Sequence, residues 1–93
     1  MDKEGWVVSS GNEPTSVRVR IFGEDHVIKG NASDEYIRHL AEIVDTRLWA
    51  VQKNNPMLPR HCVAILVAIN LANELEDLRA EYDELLELLE DAN

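Results

Sequence analysis

From residue 17 the chain alternates apolar and basic side chains, Val17-Arg18-Val19-Arg20-Ile21-Phe22. This period of two, rich in β-branched residues, predicts a half-buried strand. Gly23-Glu24-Asp25 interrupts the pattern and His26-Val27-Ile28-Lys29 resumes it before Gly30-Asn31, so the segment reads as a hairpin. With Gly23-Glu24 as the central pair of a type II′ turn, Ile21 faces His26 and Val19 faces Ile28. Taking Glu24-Asp25 as the turn pair leaves the two faces unchanged. One face then holds Val17, Val19, Ile21 and Ile28 with His26 near the turn, and it needs a core. The other holds Arg18, Arg20 and Lys29 with Phe22 and Val27. A lone hairpin is marginal in water, so a helix or a further sheet must cover it.

After residue 33 the period changes. Ser33 is a suitable N-cap, and Asp34 and Glu35 suit the positive end of a helix. Ile37, Leu40, Ala41, Val44, Leu48 and Val51 then recur at steps of three and four, one apolar stripe. Arg38, Glu42, Asp45 and Lys53 fall off the stripe and are predicted to face water. Trp49 lies beside it, as a core-edge residue or as a contact for another chain. Asn54-Asn55-Pro56 ends the helix.

Pro59 fits the first turn of a second helix, and no Pro or Gly follows it. One helix of about 33 residues, roughly 50 Å long, is therefore predicted from residue 59 to about 91. Residues 62–69 are apolar on every side and call for cover from several directions. Beyond them Leu71, Leu75, Leu78, Tyr82, Leu85 and Leu89 alternate steps of four and three. That is a coiled-coil seam, with Leu75, Tyr82 and Leu89 at a positions and Leu71, Leu78 and Leu85 at d. Leu66 and Ile69 precede it, and together these eight residues form the predicted self-association surface. Leu86 and Leu88 widen the strip, so that two copies or four are both open.

The fold class expected is α+β: a hairpin-plus-helix head over residues 17–56, followed by a long coiled-coil helix over residues 57–93. Residues 1–16 show no sustained period and read as a flexible leader. Within them Trp6-Val7-Val8 either docks loosely or adds an edge strand.

Charge changes this picture by its position. The 93 residues carry a net −9, but residues 74–93 alone hold nine acids against the single base Arg79. The remainder is nearly neutral. Such a balance argues against nucleic acid and against anionic lipid, both of which need a basic face. The apolar run at 62–69 is too short to span a bilayer, which takes about 20 residues. No secretory h-region opens the chain, and the one cysteine, Cys62, has no internal partner, so a cytoplasmic protein is expected. The acidic flanks place like charges beside one another on self-pairing. Burying six large side chains per helix contributes on the order of 10 kcal/mol before entropy, which outweighs screened surface repulsion.

The chemistry of an enzyme is not visible. The glycines at 5, 11, 23 and 30 fit no phosphate-binding loop. His61-Cys62 is an adjacent pair of soft ligands without a metal-binding frame, and Cys62 opens an apolar stretch that suits an inert thiol. Carboxylates on exposed helix faces have nothing to split their pKa values. No cofactor and no small-molecule substrate are expected, and what remains is a protein that displays surfaces.

Four strings in order, Val17-Arg18-Val19-Arg20-Ile21-Phe22-Gly23, Ile28-Lys29-Gly30 leading into Ser33-Asp34-Glu35-Tyr36, Val44-Asp45-Thr46-Arg47-Leu48, and residues 63–75, resemble the ZapA family of cell-division proteins. In the last, Val-Ala-Ile-Leu-Val-Ala-Ile-Asn-Leu-Ala-Asn-Glu-Leu is similar to the family's apolar run closing on Ala-Leu-Asn-Ile-Ala-x-Glu-Leu. The resemblance implies a non-enzymatic cytoplasmic protein at the division septum. It would dimerise through its C-terminal helix, often pairing dimers into antiparallel tetramers, and would bind and cross-link protofilaments of the tubulin-like GTPase FtsZ through its heads. Charged head residues carry that contact in the family, often a base directly after Ile-Phe-Gly, where this chain has Glu24. Arg18, Arg20 and Lys29 on the hairpin, with Arg47, Lys53 and Arg60 near the inter-helix turn, are the candidate FtsZ-binding residues. The alternative is an adaptor whose acidic helix docks a different, basic protein.

Overall fold

A computed structural model describes residues 7–8 and 16–92. Strands β1 (Val7–Val8), β2 (Ser16–Ile21) and β3 (Glu24–Lys29) precede helices α1 (Asp34–Asn54) and α2 (Arg60–Asp91). The strands form one antiparallel sheet in the order β1-β3-β2. Val7 and Val8 pair with Lys29 and Ile28, so these two residues occupy the edge beside β3. Ser16, expected at the end of the leader, instead begins β2, and residues 1–6 and 9–15 of the leader lie outside the described residues.

The α+β class and the hairpin stand as expected, but the turn does not. Ile21 pairs with Glu24, Val19 with His26 and Val17 with Ile28, which makes Phe22-Gly23 the central pair. Both have positive φ, 56° at Phe22 and 80° at Gly23, the requirement of a type I′ turn. The predicted II′ register is thus wrong by two residues. Because the shift is even, Val17, Val19 and Ile28 still share the inner face, and Arg18, Arg20 and Lys29 the outer one. Phe22 is the exception. Alternation predicts it on the outer face, yet the turn folds its ring inward until only 6% remains exposed.

Helix α1 starts as its sequence dictates. The Ser33 hydroxyl accepts the Tyr36 N–H at 3.2 Å, and Ile37 N–H closes on the Ser33 carbonyl at 3.0 Å. Its apolar stripe divides between two clusters. Ile37 joins Val17 and Val19 under the sheet, while Leu48 joins Phe22, Val63 and Val67. Ile21 packs against both clusters and makes them continuous.

The helix ends at Asn55, whose side-chain amide donates back to the Val51 carbonyl at 2.9 Å. Gln52 spans the connection, donating to the carbonyls of Asn55 at 3.1 Å and Leu58 at 3.4 Å. Pro59 is the N-cap of α2, and its carbonyl accepts from Cys62 and Val63 at 3.0 and 3.1 Å. Helix α2 runs 32 residues, which at about 1.5 Å each is nearly the 52 Å longest dimension of the molecule. Val63 and Val67 are buried against α1 and the turn, and Leu71 packs partly against the same cluster. Leu71 was expected in the self-association seam, whereas within one chain it closes the head. The expected cover on several sides of residues 62–69 is also incomplete, since Ile65 and Ile69 stand on the far side of α2 and stay exposed.

Candidate interaction surfaces

The hairpin tip is held by three side chains that sequence spacing alone does not connect. The Phe22 N–H donates to Asp45 Oδ1 at 2.7 Å, and Trp49 Nε1 donates to the same oxygen at 3.2 Å. Asp45 was expected to face water. Instead it lies at i−4 from Trp49 on the flank of α1 and satisfies a turn N–H that the type I′ geometry leaves without a ladder partner. Trp49 meets the Phe22 ring edge-on, centroids 4.8 Å apart, and serves as the core-edge residue.

Arg60, from the start of α2, lies over the other side of that ring at 3.9 Å from its centroid. It also donates to the Phe22 carbonyl and stands 3.5 Å from a Glu24 carboxylate oxygen. Glu24 replaces the base expected after Ile-Phe-Gly, and its carboxylate sits within reach of Arg60. Substituting a base there would set two cations together.

A second clasp joins the helices. Arg47 Nη1 and Nη2 reach Glu74 Oε2 and Oε1 at 2.6 and 2.7 Å, a bidentate pair. Hydrogen bonding to Arg47 holds the Glu74 carboxyl below its ordinary pKa, and the same contact raises that of Arg47. Glu74 belongs by spacing to the acidic flank expected to be solvated, and Arg47 is one of the candidate partner-binding bases. Their pairing instead links α1 to α2 at the edge of the buried Leu48–Val63–Val67 contact.

The six candidate bases therefore separate. Arg18, Arg20 and Lys29 share the outer face of the hairpin and are exposed, with Arg20 paired to Asp25 at 2.9 Å. Lys53 lies in the last turn of α1. Arg47 and Arg60 are engaged inside the head. Sequence reasoning missed Asp45, Glu74 and Arg38, whose guanidinium donates to the Arg18 carbonyl at 3.0 Å. The i to i+4 step from Asp45 to Trp49 was the one signal available.

The eight candidate self-association residues behave differently. Leu66, Ile69, Leu75, Leu78, Tyr82, Leu85 and Leu89 are all exposed in the single chain, Leu78 at 64% and Tyr82 at 62%. Past Glu74 every described residue of α2 is exposed, so its leucine seam has no cover from the described residues of the same chain. His61 Nε2 and Cys62 Sγ lie 3.6 Å apart, and no group of three metal-ligating side chains occurs among the described residues. No described helix is long and apolar enough to cross a membrane.

Fold and surfaces together define a class: a small α+β head, locked at its hairpin tip, on a long amphipathic helix whose outer half is left uncovered. The chain belongs to the family of cell division protein ZapA, whose model matches residues 17–93. A ZapA of Geobacillus thermodenitrificans (strain NG80-2) is 43% identical over 75 residues, 80% of this chain and 82% of the relative. That of Geobacillus kaustophilus (strain HTA426) is 40% identical over 80 residues, 86% and 88% of the two chains. Among solved structures, a ZapA mutant dimer from Geobacillus stearothermophilus superposes with a TM-score of 0.67 at 35% identity, covering 88% of this chain and 95% of that one. The four strings that suggested the family are tied together in space: Ile28 from the second packs against Val17 and Val19 from the first. Phe22 from the first meets Asp45 from the third, and Arg47 from the third meets Glu74 from the fourth.

Proposed function

We propose that this protein self-associates through α2 and uses its paired heads to bind and cross-link FtsZ protofilaments at the division septum. The observation that carries the reading is the uncovered seam on a family-typical head: Leu75, Leu78, Tyr82, Leu85 and Leu89 line one side of a helix and are left exposed by the described residues of the same chain. Exposing five such side chains in water is unfavourable by several kcal/mol, at about 1.5–3 kcal/mol for each one fully buried. A second copy of the helix covers them in coiled-coil register. The dimer of the G. stearothermophilus relative supports self-association. Two heads on one rod present the same surface twice, and cross-linking then follows from bivalency.

Within the head, the outward bases Arg18, Arg20 and Lys29, with Lys53, are the partner-facing set. Arg47 and Arg60 support them from inside by holding the helices and the turn. Mixed with polymerising FtsZ and GTP, the protein is expected to raise light scattering and to sediment with bundles. Changing Arg18, Arg20 and Lys29 together to Glu should abolish bundling at unchanged oligomer mass. Absence of co-sedimentation by the wild type at modest salt would sink the reading. Reversing Glu81, Asp83, Glu84 and Glu87 separates the alternative: an adaptor loses its different, basic partner, whereas bundling of FtsZ by the cross-linker is unaffected.

A further inference from the structure

The sheet order β1-β3-β2 leaves β2 with one edge unpaired by any strand among the described residues. Its register says which groups that edge offers. A two-residue turn is closed by a hydrogen-bonded pair, here Ile21 and Glu24, and such pairs alternate along an antiparallel ladder. Val17, Val19 and Ile21 therefore point their backbone groups at β3, while Arg18 and Arg20 point theirs away, toward the open edge. The Arg38 bond to the Arg18 carbonyl agrees with this assignment, because only an outward carbonyl is reachable from there. Beside the edge lies a groove of about 220 Å³ between β2 and α1, lined by Val19, Arg20, Arg38, Ala41, Glu42 and Asp45.

A strand whose Arg18 and Arg20 turn their N–H and C=O groups outward is a template for another strand unless it is covered or made repulsive. The side chains here select the occupant. A second copy of β2 pairing antiparallel across a two-fold axis brings the Arg18 and Arg20 side chains of the two copies against one another, and like charges opposite each other are unfavourable. An acidic strand meets the same arginines favourably. On the inner side Val19 and Ala41 leave room for small apolar side chains, and Arg38 adds a third guanidinium. Of the acids nearby, Asp25 is paired with Arg20 and Asp45 holds the turn, so Glu42 is the one that opposes the incoming charge.

We propose that the β2 edge docks an extended, acidic segment of the filament protein as an added strand, with acids over Arg18 and Arg20 and small apolar residues turned into the groove. The inference rests on the reading that the head binds FtsZ and names the manner of binding: backbone pairing, with charge selecting the segment. Arg38 gates the edge, its guanidinium leaving the Arg18 carbonyl for a carboxylate of the incoming strand.

The test compares Arg20→Pro with Arg20→Gln in the full chain, by co-sedimentation with polymerised FtsZ. Both variants lose the charge, but only proline loses the outward N–H, and an edge strand tolerates proline at such a position. Proline is expected to weaken binding at least tenfold beyond glutamine at unchanged oligomer mass. Hydrogen exchange on the wild type, resolved to single amides, needs no variant. Saturating FtsZ should slow Arg18 and Arg20 at least tenfold and leave Val17 and Val19 unchanged. If the wild type sediments while these amides keep their rates and proline matches glutamine, strand addition is wrong and the partner reading stands. If the wild type does not sediment, the reading falls and takes the inference with it. Slowing of the two amides on raising protein concentration without FtsZ would show a second copy on the edge, which overturns the proposal.

Discussion

Phe22 sets two physical effects against each other, and replacing it measures both. Its φ of 56° is a left-handed conformation that costs a non-glycine residue about 1–2 kcal/mol. Its ring is buried among Leu48, Val63 and Val67, edge-on to Trp49 and beneath Arg60. Phe22→Ala keeps the backbone cost and loses the ring, for a destabilisation of about 3–5 kcal/mol by analogy with buried Phe to Ala changes. Phe22→Gly loses the ring as well but relieves the backbone, and should be more stable than the alanine variant by about 1 kcal/mol. That order is the reverse of the one seen inside an ordinary strand, where glycine is worse than alanine by about 0.5–1 kcal/mol. Urea titrations followed by far-UV circular dichroism give the ranking, at one fixed protomer concentration because self-association makes stability concentration-dependent. An alanine variant as stable as the glycine variant, or more so, would show that the turn does not hold Phe22 left-handed. A loss under about 1 kcal/mol in both would show that the ring is not part of the core.

Asp45→Ala leaves the Phe22 N–H without its acceptor and should cost about 1–3 kcal/mol, while Asp45→Asn keeps an acceptor oxygen and should cost less than half as much in the same titration. The Arg47–Glu74 clasp is pH-dependent with a definite sign: because the folded-state pKa of Glu74 is lowered, its contribution is complete above the ordinary carboxylate range and is lost as pH falls through the lowered value. Thermal melts of wild type and Glu74→Gln should therefore differ at neutral pH and converge in acid; a gap that persists in acid would mean the clasp is not ionic. Leu78→Glu combined with Leu85→Glu places charge in the seam and should reduce the mass to that of a single chain in analytical ultracentrifugation, whereas an unchanged mass refutes the seam as the self-association surface.

Much of this architecture is written locally in the chain. The alternation at residues 17–21, the Ser33 cap, the stripe from Ile37 to Val51, and the uninterrupted helix after Pro59 each follow from contacts within a few residues. The seam is legible for the same reason, since a period of seven depends on nothing but spacing. Parity preserves the two hairpin faces, because a register shift of two residues leaves each strand side chain on the same side.

What local pattern cannot carry is competition between distant groups. Local sterics favour glycine first in a hairpin turn, which is why Gly23-Glu24 was the natural pair. The fold places Phe22 there because burying its ring between two helices outweighs the cost of one left-handed residue. Likewise a carboxylate off the apolar stripe faces water unless an N–H separated by 23 positions arrives beside it, as Phe22 does at Asp45. Arg47 and Glu74 lie 27 positions apart, and their pairing engages within the chain a base that spacing alone leaves free. The sequence by itself determined the hairpin, the two helices, the alternation of the strand faces and the need of the long helix for company. Tertiary packing decided which charges belong to the head's own frame and which face outward, because only a formed core brings those groups within hydrogen-bonding distance.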